Sequence, residues 1–94
     1  MPACLYIVTN KPNGLLYVGV TTNLPQRAWQ HRAGEVDSFT KKYNLKHLVH
    51  VEPFEEVRNA IQREKTRKHW SRAWKVALIE RENPEWEDLF DRLM

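Results

Sequence analysis

The sequence predicts a small α+β domain in which a three-stranded antiparallel sheet is flanked by helices, in the order β-β-α-β-α-α-α. Two short apolar runs flank the turn sequence KPNG at residues 11–14, an arrangement typical of a β-hairpin. Residues 47–54 alternate between apolar and polar side chains, which predicts a third strand. Four other segments have capping residues or apolar residues at helical spacing, and these predict the helices that cover the sheet.

The composition indicates one globular domain spanning residues 1–94. The chain is 41% hydrophobic and 29% charged, an ordinary balance for a folded protein. Its longest apolar run is too short to cross a bilayer, and its first residues do not resemble a signal peptide. The single cysteine, Cys4, can form neither an intramolecular disulfide nor a zinc site alone. We therefore expect a cytoplasmic protein with no membrane partner and no disulfide partner.

The hairpin has a predictable register. A four-residue turn places Tyr6 opposite Gly19 and Val8 opposite Tyr17, so these four residues share one face. On that face Gly19 is expected to leave an open space beside the Tyr6 ring, where a ligand could approach. The other face is entirely aliphatic and is expected to be core; it carries Leu5, Ile7, Leu16 and Val18.

The helices follow from caps and spacing. Thr22-Asn23 can cap a helix over 24–33 that ends at Gly34 and points Arg27 and His31 to one side. Residues 35–44 are predicted to form a polar loop. After the third strand, helices are predicted over 55–68 and 70–80. Asn83 is predicted to cap a last helix that starts at Pro84, whose apolar face would comprise Trp86, Leu89, Phe90 and Leu93.

Five positions give the chain a family resemblance. The triplets Leu5-Tyr6-Ile7 and Tyr17-Val18-Gly19 are followed by Arg27, His31 and Glu64, in that order. This set resembles the signature of the GIY-YIG nuclease superfamily, although Leu5 stands in place of the first glycine. Three further stretches resemble its small, stand-alone, single-domain branch of putative endonucleases: HLVHVEPF, REKTRKHW and NPEWEDL.

The resemblance implies a metal-dependent DNA endonuclease and assigns roles to the five residues. Glu64 would bind a single Mg²⁺ or Mn²⁺, which tolerates few protein ligands because it keeps several waters. Arg27 would bind phosphate oxygens with its planar guanidinium. Tyr17 would hydrogen-bond the attacking water or the phosphate. Tyr6 and His31 are both candidates for the general base, and the sequence does not choose between them. No cofactor other than the metal ion is implied.

DNA is the expected partner. The net charge is +3, and basic residues concentrate in the middle of the chain, which is compatible with a phosphate-binding surface or with a solvated helix face. The residues expected to contact nucleic acid are Lys42, Tyr43, Lys65 and Lys68. No zinc finger or helix-turn-helix is present in the sequence, so we expect selectivity for DNA structure, such as single strands, flaps or branches. Repair, recombination and DNA uptake all remain open as pathways.

Other readings of the same residues exist. Tyr6 and Tyr17 could simply pack in strands, Arg27 and His31 could be surface residues, and Glu64 could pair with a lysine four residues later. Val20 stands where many family members have Lys, with Lys42 as a candidate substitute, and an asparagine found in several members is absent from the Trp74–Val76 region. The alternative function is therefore a catalytically weak or inactive nucleic-acid-binding module on the same fold. A protein-interaction role for the acidic segment 83–94 is a third reading.

Overall fold

The computed structural model describes residues 1–34 and 41–93, and within them the predicted fold class and element order are confirmed. Most of the predicted 35–44 loop lies outside the described residues. The strands are β1 (Ala3–Thr9), β2 (Leu16–Thr21) and β3 (His47–Phe54). The helices are α1 (Leu24–Ala33), α2 (Val57–Lys68), α3 (Arg72–Glu82) and a 3₁₀ helix (Leu89–Leu93). None of these helices has both the length and the apolar character needed to cross a bilayer.

The strand β1 lies in the middle of an antiparallel sheet with the order β2-β1-β3. The hairpin turn closes as predicted, with the Gly14 N–H donating to the Lys11 carbonyl at 2.9 Å. Asn13 takes a φ of 60° there, a conformation that Asn tolerates better than most residues. The predicted register is confirmed, because Tyr6 pairs with Gly19 and Val8 pairs with Tyr17.

Both faces of the sheet are buried. The aliphatic face is core as predicted, and its cluster comprises Leu5, Ile7, Val18, Val49, Leu78, Ile79 and Trp86. The opposite face forms a second cluster of Tyr6, Val8, Leu24, Ala28, Leu45, Leu48 and Phe90. The hairpin face that carries the tyrosines is therefore buried as well. The alternation of side chains along the strands did not predict this burial.

Helix α1 is fixed at both ends by the predicted caps. The Asn23 side chain accepts a hydrogen bond from the Gln26 N–H at 3.2 Å, and Gly34 ends the helix with a φ of 75°. Between the caps, α1 buries Leu24, Ala28 and His31, which are spaced to share one side of a helix. This side packs on the tyrosine-bearing face of the sheet, so the helix delivers His31 to Tyr6.

The last element differs from its prediction. No α-helix begins at Pro84; a 3₁₀ helix begins at Leu89 instead. Trp86 takes a φ of 56°, which a right-handed helix cannot contain. Asn83 therefore caps no helix at Pro84; its buried side-chain NH₂ donates to the carbonyls of Val49 and Glu87, and its Oδ1 accepts from the Glu87 N–H. The hydrogen bond to the Val49 carbonyl fixes the end of α3 against strand β3.

Candidate active site

Three side chains of the predicted set meet on one face of the sheet, and we call Tyr6, Tyr17 and His31 the tyrosine–histidine cluster. The Tyr6 hydroxyl and the His31 Nε2 are joined by a buried hydrogen bond of 3.1 Å. Their ring centroids lie 5.4 Å apart at 67°, an edge-to-face arrangement. The Tyr17 ring lies 6.0 Å from the same imidazole. His31 therefore sits between two phenols that come from neighbouring strands.

The cluster has a buried side and a more open side. Tyr6 is only 3% exposed and His31 only 2%, whereas Tyr17 is half-buried. Bulk water is thus largely excluded from the Tyr6–His31 pair, and a hydrogen bond in such surroundings is stronger than one in water. A ligand would meet the cluster first at Tyr17.

Gly19 lets the Tyr6 phenol occupy this position. A Cβ atom at Gly19 would lie 2.5 Å from both the Cζ and the Oη of Tyr6, far inside van der Waals contact. The predicted open space beside the Tyr6 ring is therefore wrong, because the ring itself fills the space that Gly19 leaves. Gly19 therefore makes room for the Tyr6 phenol and does not open a path for a ligand.

Replacing Gly19 with alanine is expected to displace the Tyr6 ring and to lower the free energy of unfolding by about 1–3 kcal/mol, as overpacking typically does. Chemical denaturation measures this loss, with the exposed Thr22→Ala as the control. If the clash is with Tyr6, the double variant Gly19→Ala/Tyr6→Ala loses less than the sum of the two single losses. Additive losses would contradict the clash.

Lys68 lies at the more open side of the cluster, and Glu64 is its ion-pair partner. They form an ion pair of 3.3 Å on α2, and the Lys68 Nζ lies 5.8 Å from the centroid of the Tyr17 ring. The side chain of Glu64 is 22% exposed. The i,i+4 pairing with a lysine is therefore present, and the lysine that makes it lies beside Tyr17.

Arg27 lies one helical turn before His31 on α1 and is half-buried. Its guanidinium makes no hydrogen bond or ion pair within residues 1–34 and 41–93. The neighbouring Arg32, by contrast, is held by the carboxylate of Asp88. A partly desolvated guanidinium with no carboxylate partner among residues 1–34 and 41–93 is well suited to an external anion such as a phosphate.

The remaining residues predicted to contact nucleic acid are on the protein surface. Lys42 and Tyr43 are exposed and contact each other, with the Lys42 Nζ 5.4 Å from the ring centroid. Lys65 is exposed on α2. Lys68 contacts the Tyr17 ring and so places a positive charge beside the cluster.

The basic middle of the chain is not a continuous surface. Arg67 is only 7% exposed; its guanidinium lies 3.7 Å from Glu52 and stacks 3.7 Å above the Trp70 ring. Burial lowers the pKa of Arg67, and the charge of Glu52 opposes that shift. Arg63 also pairs with Glu52, and Arg72 donates to the Asn13 carbonyl. Of these three arginines, Arg67 is buried against Glu52 and is not part of an exposed basic surface, whereas Arg63 and Arg72 are exposed.

A divalent metal fits this site with one protein ligand. In the described part of the chain, no group of three or more His, Cys, Asp or Glu side chains is placed to hold a metal ion. A Mg²⁺ ion accepts one or two carboxylates and keeps several waters, so the single, partly exposed carboxylate of Glu64 suits it. The ion would replace Lys68 as the partner of that carboxylate.

Two features of the site were not predicted from the sequence. The first is the hydrogen bond between Tyr6 and His31, which had been treated as rival candidates for one role. The second is the place of Lys68 beside Tyr17. Its spacing of four residues from Glu64 was the available signal, since that spacing puts both side chains on one side of α2.

Comparison with known proteins relates the chain to one family. Residues 2–77 match the model of the GIY-YIG catalytic domain. A UPF0213 protein of Staphylococcus haemolyticus is 40% identical over 76 residues, which cover 81% of this chain and 92% of the relative. One from Natronomonas pharaonis is 42% identical over 64 residues, covering 68% of this chain and 75% of the relative.

A solved structure supports the same relationship. The solution NMR structure of the UPF0213 protein from Bacillus halodurans superposes with a TM-score of 0.58 at 27% identity. The match covers 94% of this chain and 93% of that one. GIY-YIG proteins are nucleases that act on DNA. On the match over residues 2–77 and these relatives, the chain belongs to the GIY-YIG nuclease family.

Proposed function

We propose that this protein is a divalent-metal-dependent DNA endonuclease that hydrolyses phosphodiester bonds. The observation that carries the proposal is the 3.1 Å hydrogen bond between Tyr6 and His31, with Tyr17 against the same imidazole. Phosphodiester hydrolysis needs an activated water, stabilisation of negative charge on the phosphate and a stabilised leaving oxygen. The family, the cluster and the neighbouring Arg27 and Glu64 together meet these needs.

The Tyr6–His31 pair is proposed to activate the water as a unit. With His31 protonated on Nδ1, its Nε2 accepts the hydrogen bond from the Tyr6 hydroxyl. As the Tyr6 oxygen takes a proton from the attacking water, the phenol proton passes to His31 Nε2. The water oxygen then bonds to phosphorus while the bond to the leaving oxygen breaks. This arrangement gives both candidates a part in one proton transfer.

The other residues are proposed to bind and orient the phosphate. Arg27 contributes two parallel N–H donors to the non-bridging oxygens, where negative charge grows during the reaction. Tyr17, on the more open side of the cluster, donates its hydroxyl to the water or the phosphate. Glu64 would hold a divalent ion, which would supply positive charge to stabilise the leaving oxygen.

The proposed substrate is DNA with single-stranded, flap or branched character. Neither the sequence nor the described residues carry a motif that enters the major groove and reads base edges. Exposed lysines such as Lys42 and Lys65 provide contacts to phosphates, which fix position without reading sequence. DNA structure is therefore the property that this chain is proposed to distinguish.

A metal-dependent cleavage assay tests the proposal with the variant Glu64→Ala. We expect wild-type protein to cut branched or single-stranded DNA in Mg²⁺ or Mn²⁺ and to stop when the metal is chelated. Glu64→Ala is expected to cut more slowly and to need more metal for half-maximal rate, because it lacks the proposed ligand. The exposed Glu55→Ala, just ahead of α2, is the matched control and should behave as wild type.

Cleavage by Glu64→Ala at the wild-type rate and metal requirement would contradict the role of Glu64. A non-catalytic nucleic-acid-binding module is the second candidate, and the near-complete burial of Tyr6 and His31 favours it. That function predicts DNA binding that weakens as salt is raised, without cleavage in any metal. Cleavage by the purified wild type, lost in Tyr6→Phe, would exclude it.

A further inference from the structure

A second feature lies on the other face of the sheet from the tyrosine–histidine cluster. An open pocket of about 270 Å³ is lined by Trp70, Trp74, Ala77, Leu78 and Arg81. Leu78 belongs to the core cluster on the aliphatic face, whereas Tyr6 belongs to the cluster on the opposite face. The volume is just below the range of about 300–1,000 Å³ for drug-sized ligands, so it suits a single planar ring system.

The two indoles in this pocket are held differently. The Trp70 ring is covered by the Arg67 guanidinium on one side and meets the Trp74 ring edge-to-face at 5.4 Å and 83°. Trp74 is 61% exposed, the highest exposure of any tryptophan in the described chain. Trp70 therefore forms a fixed wall, and Trp74 presents an aromatic surface to solvent.

The polar groups of the pocket are available to a ligand. The Trp86 indole N–H is bonded to Glu80, but no hydrogen bond to residues 1–34 or 41–93 is recorded for the indoles of Trp70 and Trp74. Within the same residues, Arg81 makes no hydrogen bond or ion pair. Arg81 lines the pocket and the Arg67 guanidinium stacks on the Trp70 ring, so both cations lie close to this pocket.

We infer that the pocket binds an unpaired base of single-stranded DNA, stacked on Trp74 with its phosphate near Arg81. Aromatic surfaces combined with positive charge are the usual means of binding single strands, because every base has a stacking face. The charges favour a polyanion over an apolar peptide. This inference rests on the proposed function for the identity of the strand.

Equilibrium binding of a fluorescein-labelled oligothymidylate, with all divalent metal chelated, tests the inference. Trp74→Ala is expected to bind about 5- to 150-fold more weakly, the loss that corresponds to one stacked base. Trp74→Phe should restore most of the affinity. The matched control is Trp29→Ala, since Trp29 is 53% exposed on α1 and lies outside the pocket. An abasic strand of equal length should bind wild type and Trp74→Ala equally.

Equal affinity of wild type and Trp74→Ala for the intact strand would overturn the inference. An equal loss for the intact and abasic strands would overturn it too, because the pocket would then contact only the backbone. Sedimentation that shows a Trp74-dependent dimer, with DNA binding unchanged, would assign the pocket to a second copy of the chain. If DNA binding depends on Trp74 but the protein cleaves no DNA, the inference stands and the nuclease proposal fails. If the protein cleaves DNA but its DNA binding does not depend on Trp74, the nuclease proposal stands and the inference fails.

Discussion

Tyr6→Phe is expected to slow single-turnover DNA cleavage by about 10²–10⁴-fold, the usual contribution of a general base. Phenylalanine keeps the ring over Gly19 but removes the hydroxyl that bonds to His31. The loss should appear in the rate of the chemical step rather than in DNA affinity, because Tyr6 is only 3% exposed. Quenched-flow cleavage with protein in excess over DNA separates these two quantities.

The same substitution also costs stability, and this loss needs a control. Removing the hydroxyl leaves the buried His31 without this hydrogen bond, which typically costs about 1–3 kcal/mol. Asn83→Ala removes buried hydrogen bonds at the end of α3, away from the tyrosine–histidine cluster. It should lose comparable stability and keep the wild-type cleavage rate. If both variants lose activity alike, the effect of Tyr6→Phe is structural.

Arg27→Ala is expected to slow cleavage by about 10²–10³-fold, the loss seen when one preorganised group that stabilises the developing charge is removed. Its guanidinium has no partner to lose in the described part of the chain, so the free energy of unfolding should change by less than about 0.5 kcal/mol. Arg27→Lys should restore only part of the rate, since lysine keeps the charge but not the planar pair of donors.

The matched control for Arg27 is Arg58→Ala on α2, which removes an exposed arginine of the same charge. It should change DNA affinity only slightly and leave the rate of the chemical step unchanged. A wild-type rate for Arg27→Ala would contradict the proposed contact with the phosphate. A large loss of stability would show that this guanidinium supports the fold.

The local chemistry of the sequence was sufficient for most of the fold. Asn13-Gly14 set the turn and thereby the register of Tyr6 against Gly19, and Asn23 and Gly34 set both ends of α1. The last element could not be predicted in this way. The spacing of Trp86 and Phe90 suits a helix, but the long-range bond from Asn83 to Val49 and the positive φ of Trp86 override it.

The candidate site was predictable as a set of residues and less so as an arrangement. Periodicity places Tyr6 and Tyr17 on one face, but it does not show that Gly19 lies under the Tyr6 ring. Periodicity also cannot show that the neighbouring cations Arg67 and Lys68 lie in different environments. Arg67 is buried against Glu52, whereas Lys68, the next residue, lies at Tyr17; only the packing of α2 on the sheet separates their roles.

A double-mutant cycle on the single-turnover rate tests the central claim, that Tyr6 and His31 act as one unit in a DNA-cleaving site. The four proteins are wild type, Tyr6→Phe, His31→Gln and the double variant, each in Mg²⁺ with branched DNA. Both single variants should be slow, and the double variant should be no slower than the worse of them. Rate losses that multiply, or a wild-type rate in either single variant, would contradict the account.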